Sequence, residues 1–161
     1  EYKNIGAVWY SDDLSYTGGL MVSPDVFRKY LFPWVKKIGD MARERNMPYI
    51  YHTDGVLWEV LDDLIDCGVN CLHPIEPKSM SLKELKQKYG KKLSFMGYIE
   101  VDRLSRGSPG EIRNLVKEAI NDAAAGGGYV VGSSNTVPEY VKFENYAAMI
   151  ESAFEYGRYT K

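Results

Sequence analysis

The side chains able to do chemistry fall at the ends of short apolar runs. Pro48-Tyr49-Ile50-Tyr51 leads into His52-Thr53-Asp54-Gly55, and Cys71-Leu72-His73-Pro74-Ile75 leads into Glu76. Leu93-Ser94-Phe95-Met96 leads into Gly97-Tyr98-Ile99-Glu100, and Tyr129-Val130-Val131-Gly132 leads into Ser133-Ser134-Asn135. An earlier run, 4–10, ends at Asp12 and Asp13. His52 and Asp54 stand at i and i+2, on one side of a strand that continues that far. Such a pair can move a proton or hold a metal. It can equally be a strand-end imidazole beside an aspartate that caps the next helix. Glu76 and Glu100 can act as acid and base, bind a cationic group, or lie solvated on a rim. Asp12, Asp13, Tyr98, Ser133, Ser134 and Asn135 are the candidate substrate contacts. The serines and Asn135 suit a carboxylate or an amide, and Tyr51 and Tyr98 suit a flat ligand. His73 reads as a packed, hydrogen-bonded residue. No metal is favoured; if one is held, His52, Asp54 and Glu76 are its ligands.

These ends need strands to deliver them and helices to separate the strands. Ser23-Pro24 is a helix start, with Ser as cap and Pro in the first turn. Apolar residues from Val26 to Met41 then recur at helical spacing, and Pro33 should kink that helix. A helix is expected from about Leu57 to Asp66, closed by Gly68. Ser81-Leu82-Lys83-Glu84 and Ser108-Pro109-Gly110-Glu111 are capping boxes. The second precedes an apolar face running from Ile112 to Ala123. The last helix is expected from about Phe143 to Tyr156. Strands alternating with helices define an α/β chain of about five parallel βα units. Parallel units bring their strand ends to one face. Two open strand edges favour self-association into a homo-oligomer.

The length, 161 residues, suits a single domain spanning 1–161. A net charge of −2 gives no basic footprint for nucleic acid and no polybasic membrane patch. Cys67 and Cys71 do not form a metal-binding spacing and read as buried, reduced thiols. That usage points to the cytoplasm. The opening Glu1-Tyr2-Lys3-Asn4 is polar, without a secretory signal, and lacks Met, so a fragment or processed product is expected. There is no nucleophile elbow and no dinucleotide fingerprint. The run Gly126-Gly127-Gly128 precedes a strand and lacks the ending of a phosphate loop.

Several motifs, in order, resemble one family. They are His52-Thr53-Asp54-Gly55, Glu84-Leu85-Lys86-Gln87-Lys88-Tyr89-Gly90 and Phe95-Met96-Gly97-Tyr98-Ile99-Glu100. Gly107-Ser108-Pro109-Gly110-Glu111, Gly126-Gly127-Gly128-Tyr129, Phe143-Glu144-Asn145 and Glu155-Tyr156-Gly157 continue the series. Together they resemble the carboxyl-terminal half of the uroporphyrinogen decarboxylase superfamily. The resemblance implies a partial (β/α)8 barrel, or TIM barrel, with its site at the carboxyl ends of the strands. One branch of that family decarboxylates the acetate side chains of uroporphyrinogen without a cofactor. The other is a set of zinc-dependent methyltransferases that work with a corrinoid protein and a thiol. The sequence departs from both. Asp54 stands where the zinc branch has the Cys of its His-x-Cys. Asn135 stands where that branch has a second Cys and the decarboxylases have a His. Tyr98 and Glu100 alter a Gly-Asn-x-Asp pattern. The implied function is a cofactor-free decarboxylation of a carboxylate-bearing tetrapyrrole or related small molecule. The alternatives are a corrinoid-dependent methyltransferase with altered zinc ligands, and a non-catalytic partial barrel that binds a small molecule or a protein.

Overall fold

The computed structural model describes residues 4–159. The opening Glu1–Lys3, on which the reading of the chain start rests, lies outside the described residues. The described residues form seven strands and seven helices. Two compact units divide it, the first ending at His73 and the second beginning at Pro74.

The first unit opens with β1 (Val8–Ser11), later than the expected run from residue 4. A small antiparallel hairpin follows, β2 (Ser15–Tyr16) and β3 (Gly19–Leu20), where the sequence suggested only a Gly-rich turn. Helices α1 (Pro24–Tyr30) and α2 (Phe32–Glu44) come next. The single kinked helix expected here is two helices. The break falls at Leu31, and Pro33 sits in the first turn of α2, where its missing N–H costs no hydrogen bond. Ser23 is the N-cap residue of α1, but its side chain makes no capping bond.

Strand β4 (Tyr49–His52) lies between β1 and β5 (Cys71–Ile75) and is parallel to both. Tyr49, Tyr51, Leu57, Leu61 and Leu64 form the fully buried centre of the unit. Helix α3 is shorter than expected, Leu61–Asp66, because residues 58–60 form turns rather than helix.

Gly39 of α2 lies against the turn that follows α3. A methyl group there would strike the Cys67 carbonyl and approach the Gly68 Cα. Gly39→Ala gains helix propensity of up to about 1 kcal/mol, yet backbone cannot yield as a side chain does. We expect a net loss of about 1–3 kcal/mol in denaturant titration. An unchanged midpoint would mean that the two segments separate freely.

The second unit contains the end of β5, then α4 (Leu82–Tyr89), β6 (Ser94–Ile99), α5 (Val101–Arg106), α6 (Pro109–Ala123), β7 (Tyr129–Ser133) and α7 (Phe143–Tyr156). β6 and β7 pair in parallel, from Phe95 opposite Tyr129 to Ile99 opposite Ser133. The Ser108–Glu111 box is complete: Ser108 accepts from the Glu111 N–H and Glu111 accepts from the Ser108 N–H. Those bonds hold the Glu111 carboxyl below its ordinary range. At α4, the Ser81 hydroxyl accepts from Glu84 N–H. Helix α5 was not legible in the sequence. The buried amide of Asn145, at the start of α7, donates to the carbonyls of Leu104 and Gly107 and so ties α7 to the end of α5.

Among the described residues no helix is long and apolar enough to cross a membrane. Cys67 and Cys71 are buried and free, and burial pushes both thiols up to about 11. They are poor nucleophiles and poor metal ligands at neutral pH.

Candidate functional site

In the first unit, β4 ends at His52 and the chain turns sharply through Thr53-Asp54-Gly55. The hairpin holds this turn. The buried Thr53 hydroxyl accepts from Leu14 N–H at 2.8 Å, Ser15 donates its hydroxyl to the Asp54 carbonyl, and Val56 N–H donates to the Tyr16 carbonyl. Gly55 has φ +87°, and a Cβ there would strike the Tyr16 backbone. Only glycine suits that position.

The hairpin also explains the place of Asp13. Its carboxylate accepts from Asp54 N–H at 3.1 Å. One ligand atom each from Asp13, His52 and Asp54 lie within 4.8 Å of one another. Asp13 is exposed, and His52 and Asp54 are half-buried. The sequence paired His52 with Asp54 and, for a metal, with Glu76. The group among the described residues takes Asp13 as its second carboxylate, and Glu76 belongs to the second unit. Asp12 instead accepts a hydrogen bond from the Tyr10 hydroxyl at 3.2 Å. Tyr51 is wholly buried and packs against the ring of Tyr10, so it is core rather than pocket lining.

His73 stands directly opposite His52 in the β4–β5 register. The two Nδ1 atoms are 2.8 Å apart. The edge of the Trp9 ring packs on His73, with centroids 4.8 Å apart. Burial holds the His73 imidazole far below its ordinary value, down to about 4, and His52 adds to that shift. The expectation of a packed, hydrogen-bonded residue describes His73, but not that its partner is His52.

The second unit gathers Glu76, Glu100, Ser134 and Asn135 around a cavity of about 170 Å³, with Lys78 and Asp102. Glu100 is the N-cap residue of α5 and pairs with Lys78, with Arg103 at 3.9 Å. The pairing raises the Lys78 ammonium above its ordinary value. The charge nearest Glu100 is thus a cation, where the sequence suggested a second carboxylate. Lys78 was missed because it lies in a loop, with only its neighbour Pro77 to mark it. Glu76 accepts from the Ser79 hydroxyl at 3.2 Å. Ser134 is buried, and its hydroxyl accepts from Val101 N–H at 3.4 Å. Ser133 donates to the Asn135 carbonyl, and the Asn135 side chain accepts from Thr136 N–H. Ser134 and Asn135 line the cavity, whereas Ser133, expected as a substrate contact, does not and instead shapes the end of β7.

Tyr98 is not among the residues lining that cavity. Its φ is +85°, and Gly97 before it has φ +102°. A bulky residue with that φ is strained, and such strain concentrates at functional sites. The Tyr129 hydroxyl donates to the Gly97 carbonyl at 2.9 Å and braces the distortion.

The Uroporphyrinogen decarboxylase (URO-D) family model matches residues 6–156. The chain belongs to that family. Among solved structures it is similar to a methyltransferase from Methanosarcina mazei, with a TM-score of 0.74 and 24% identity. That likeness covers 95% of this chain and 43% of the other, so the chain spans less than half the length of that structure. The shared fold is α/β, of the partial (β/α)8 kind. No curated protein matches the chain.

Proposed function

We propose that this chain supplies part of the site of a lyase that decarboxylates a carboxylate-bearing tetrapyrrole or a related small molecule. The observation that carries the reading is the convergence of His52 with Asp13 and Asp54. Two carboxylates there can stabilise a cation that forms on a bound substrate. An electron-rich ring becomes positive when a proton adds to it. In this reading His52 gives that proton to a ring carbon, and the carboxylates stabilise the cation that results. The bond to the side-chain carboxylate then breaks. Its electron pair neutralises the ring, carbon dioxide leaves, a further proton completes the methyl group, and the proton first added to the ring carbon returns to His52. Each cycle consumes one proton and releases one carbon dioxide.

The same convergence favours a second reading, methyl transfer at a divalent cation. Asp13, His52 and Asp54 form an oxygen-rich donor set that fits such a cation. The fit does not extend to the thiolate set of the zinc branch, because Asp54 and Asn135 replace its cysteines and Cys67 and Cys71 are buried elsewhere. A cation held there would act as a Lewis acid and activate a bound thiol or water. A corrinoid protein would be the partner in that reaction. The cytoplasm and a homo-oligomer remain part of both readings.

The test is to incubate the purified protein that contains this chain with uroporphyrinogen, with and without a chelator, and follow carboxyl loss by mass spectrometry. Carboxyl loss that survives the chelator is the expected result. Carboxyl retention, together with stoichiometric metal lost in His52→Ala, would overturn the first reading in favour of the second.

A further inference from the structure

We propose that the protein associates with a second copy of itself head to tail, the α1–α2 face of one copy seated on the α7 face of the other. The argument starts from where apolar side chains meet solvent. Among the described residues, every exposed large apolar side chain lies within 5–41 or 130–159, and none lies within 42–129. Single exposed apolar residues are ordinary, but a set sorted in this way marks an interaction surface.

In the first unit the set forms a stripe. Helix α2 buries Phe32, Val35, Gly39 and Ala42, and Trp34 and Met41 lie two turns apart on its other side. Leu31 keeps right-handed helical angles, so Val26 and Tyr30 of α1 extend the same spacing. Lys29 lies over the Tyr30 ring and Lys37 over the Trp34 ring, 5.0 and 4.0 Å from their centres. Among the described residues neither lysine forms an ion pair. Residues 24–45 hold six Lys and Arg against three Asp and Glu, in a chain whose net charge is −2. The stripe is apolar with a basic flank.

The second unit has the complement. Helix α7 buries Asn145, Ala148, Met149 and Ser152. Phe143, Tyr146, Ile150 and Phe154 recur at helical spacing on its opposite side, and Phe154 is 71% exposed. Ile150 and Phe154 also line an open groove of about 350 Å³ with Val130 of β7 and Tyr159. The helix has three Glu and no Lys or Arg. Arg113 pairs with Glu151 and lies 3.8 Å from Glu155, and Glu144 forms no ion pair among the described residues.

One occupant fits both faces. The basic stripe calls for an apolar surface with an acidic flank, and α7 is such a surface. Trp34, 62% exposed, is the anchor, and the groove beside α7 receives it. Packing α7 on α7, or α1–α2 on itself, would set like charges together. An anionic membrane surface would attract the basic stripe and repel the acidic helix. A contact between two different faces is head to tail.

This inference goes beyond the proposed function and rests on neither reading of the reaction. The test measures, by light scattering over a dilution series at micromolar concentration, the mass of the purified protein that contains this chain. The parent is expected to exceed the mass of one copy. Trp34→Glu and Phe154→Arg should each weaken association about 30-fold or more. Both side chains are exposed, so the circular dichroism of each variant should match the parent. Mixing the two variants decides the geometry. One keeps an intact α7 face and the other an intact α1–α2 face, so the mixture should recover a complex that neither forms alone. Association that persists in either variant alone, or monomeric variants that do not recover on mixing, would overturn the head-to-tail contact. A parent with the mass of one copy would overturn self-association altogether. Sedimentation of that parent with anionic vesicles, lost in Trp34→Glu, would then assign the basic stripe to a membrane surface instead.

Discussion

His52→Gln is expected to slow decarboxylation by about 10²–10⁴-fold while leaving the fold intact, the range in which a positioned acid or base contributes. The fold should survive because His52 is a half-buried strand-end residue, and the centre of its unit is built from Tyr49, Tyr51, Leu57, Leu61 and Leu64. Glutamine keeps a donor and an acceptor of similar reach, so the partners in the cluster are not stranded. What it cannot do is release a proton. Steady-state rates with matched far-ultraviolet circular dichroism would check this. If His52 moves the proton, kcat falls and substrate binding changes little. If it only holds a cation, His52→Gln loses metal affinity, and excess metal restores part of the rate. A rate within a factor of a few of the parent, without added metal, would remove His52 from the chemistry altogether. Asp54→Ala separates a further case. A large loss of stability with unchanged ligand binding would make that aspartate a turn residue, since its backbone already holds Asp13 and Ser15 in place.

The strands and their polar ends were legible because each apolar run is short, bounded and rich in β-branched and aromatic residues. The caps at Ser81 and Ser108 were legible because the capping residues are near neighbours in sequence, although Ser23 makes no capping bond and the box is reciprocal only at Ser108. The hairpin was not. Its strands are two residues each, too short to show alternation, and they are held by bonds to a turn about 40 residues away. Asp13 lies just before that hairpin and meets Asp54 N–H across 41 residues of sequence, so its place followed from no local pattern. Pro33 misled for a related reason. A proline inside an apolar period signals a disturbance, but the sequence does not say whether the helix bends or restarts. The strain at Tyr98 was hidden because nothing in Gly97-Tyr98 distinguishes a strand glycine from a left-handed one. The histidine pair was half visible. Each imidazole stood near a strand end, but only the register between β4 and β5 sets them opposite one another. Family resemblance does not supply that register contact either; it comes from the parallel pairing of Ile50, Tyr51 and His52 with Cys71, Leu72 and His73.

The same pair should make folding acid-sensitive in a window of its own. The His73 imidazole is held down to about 4 in the folded chain, first by burial and then by His52, against an ordinary value of 6.5. Between those two values the unfolded chain binds a proton that the folded chain refuses. Stability is then complete above about pH 6.5, falls as pH drops toward 4, and stops falling on this account below it. The shift corresponds to about 3.5 kcal/mol at most, from about 1.4 kcal/mol for each pH unit. Carboxylates also titrate in the lower part of that window, so the whole chain gives only a sum. A comparison with His73→Gln isolates the imidazole. Glutamine does not titrate, and its amide can still meet Nδ1 of His52. Denaturant titrations at pH 7.5, 6, 5 and 4 should therefore show the parent losing more stability than the variant, the excess loss beginning at about pH 6.5 and growing downward. The variant is expected to be less stable at pH 7.5, where it gains nothing from this relief and loses the packing against Trp9, and the two curves should converge or cross in acid. Parallel curves through the window would mean that His73 takes up a proton in the folded chain as readily as in the unfolded one. The imidazole pair would then not be closed to protons from solvent.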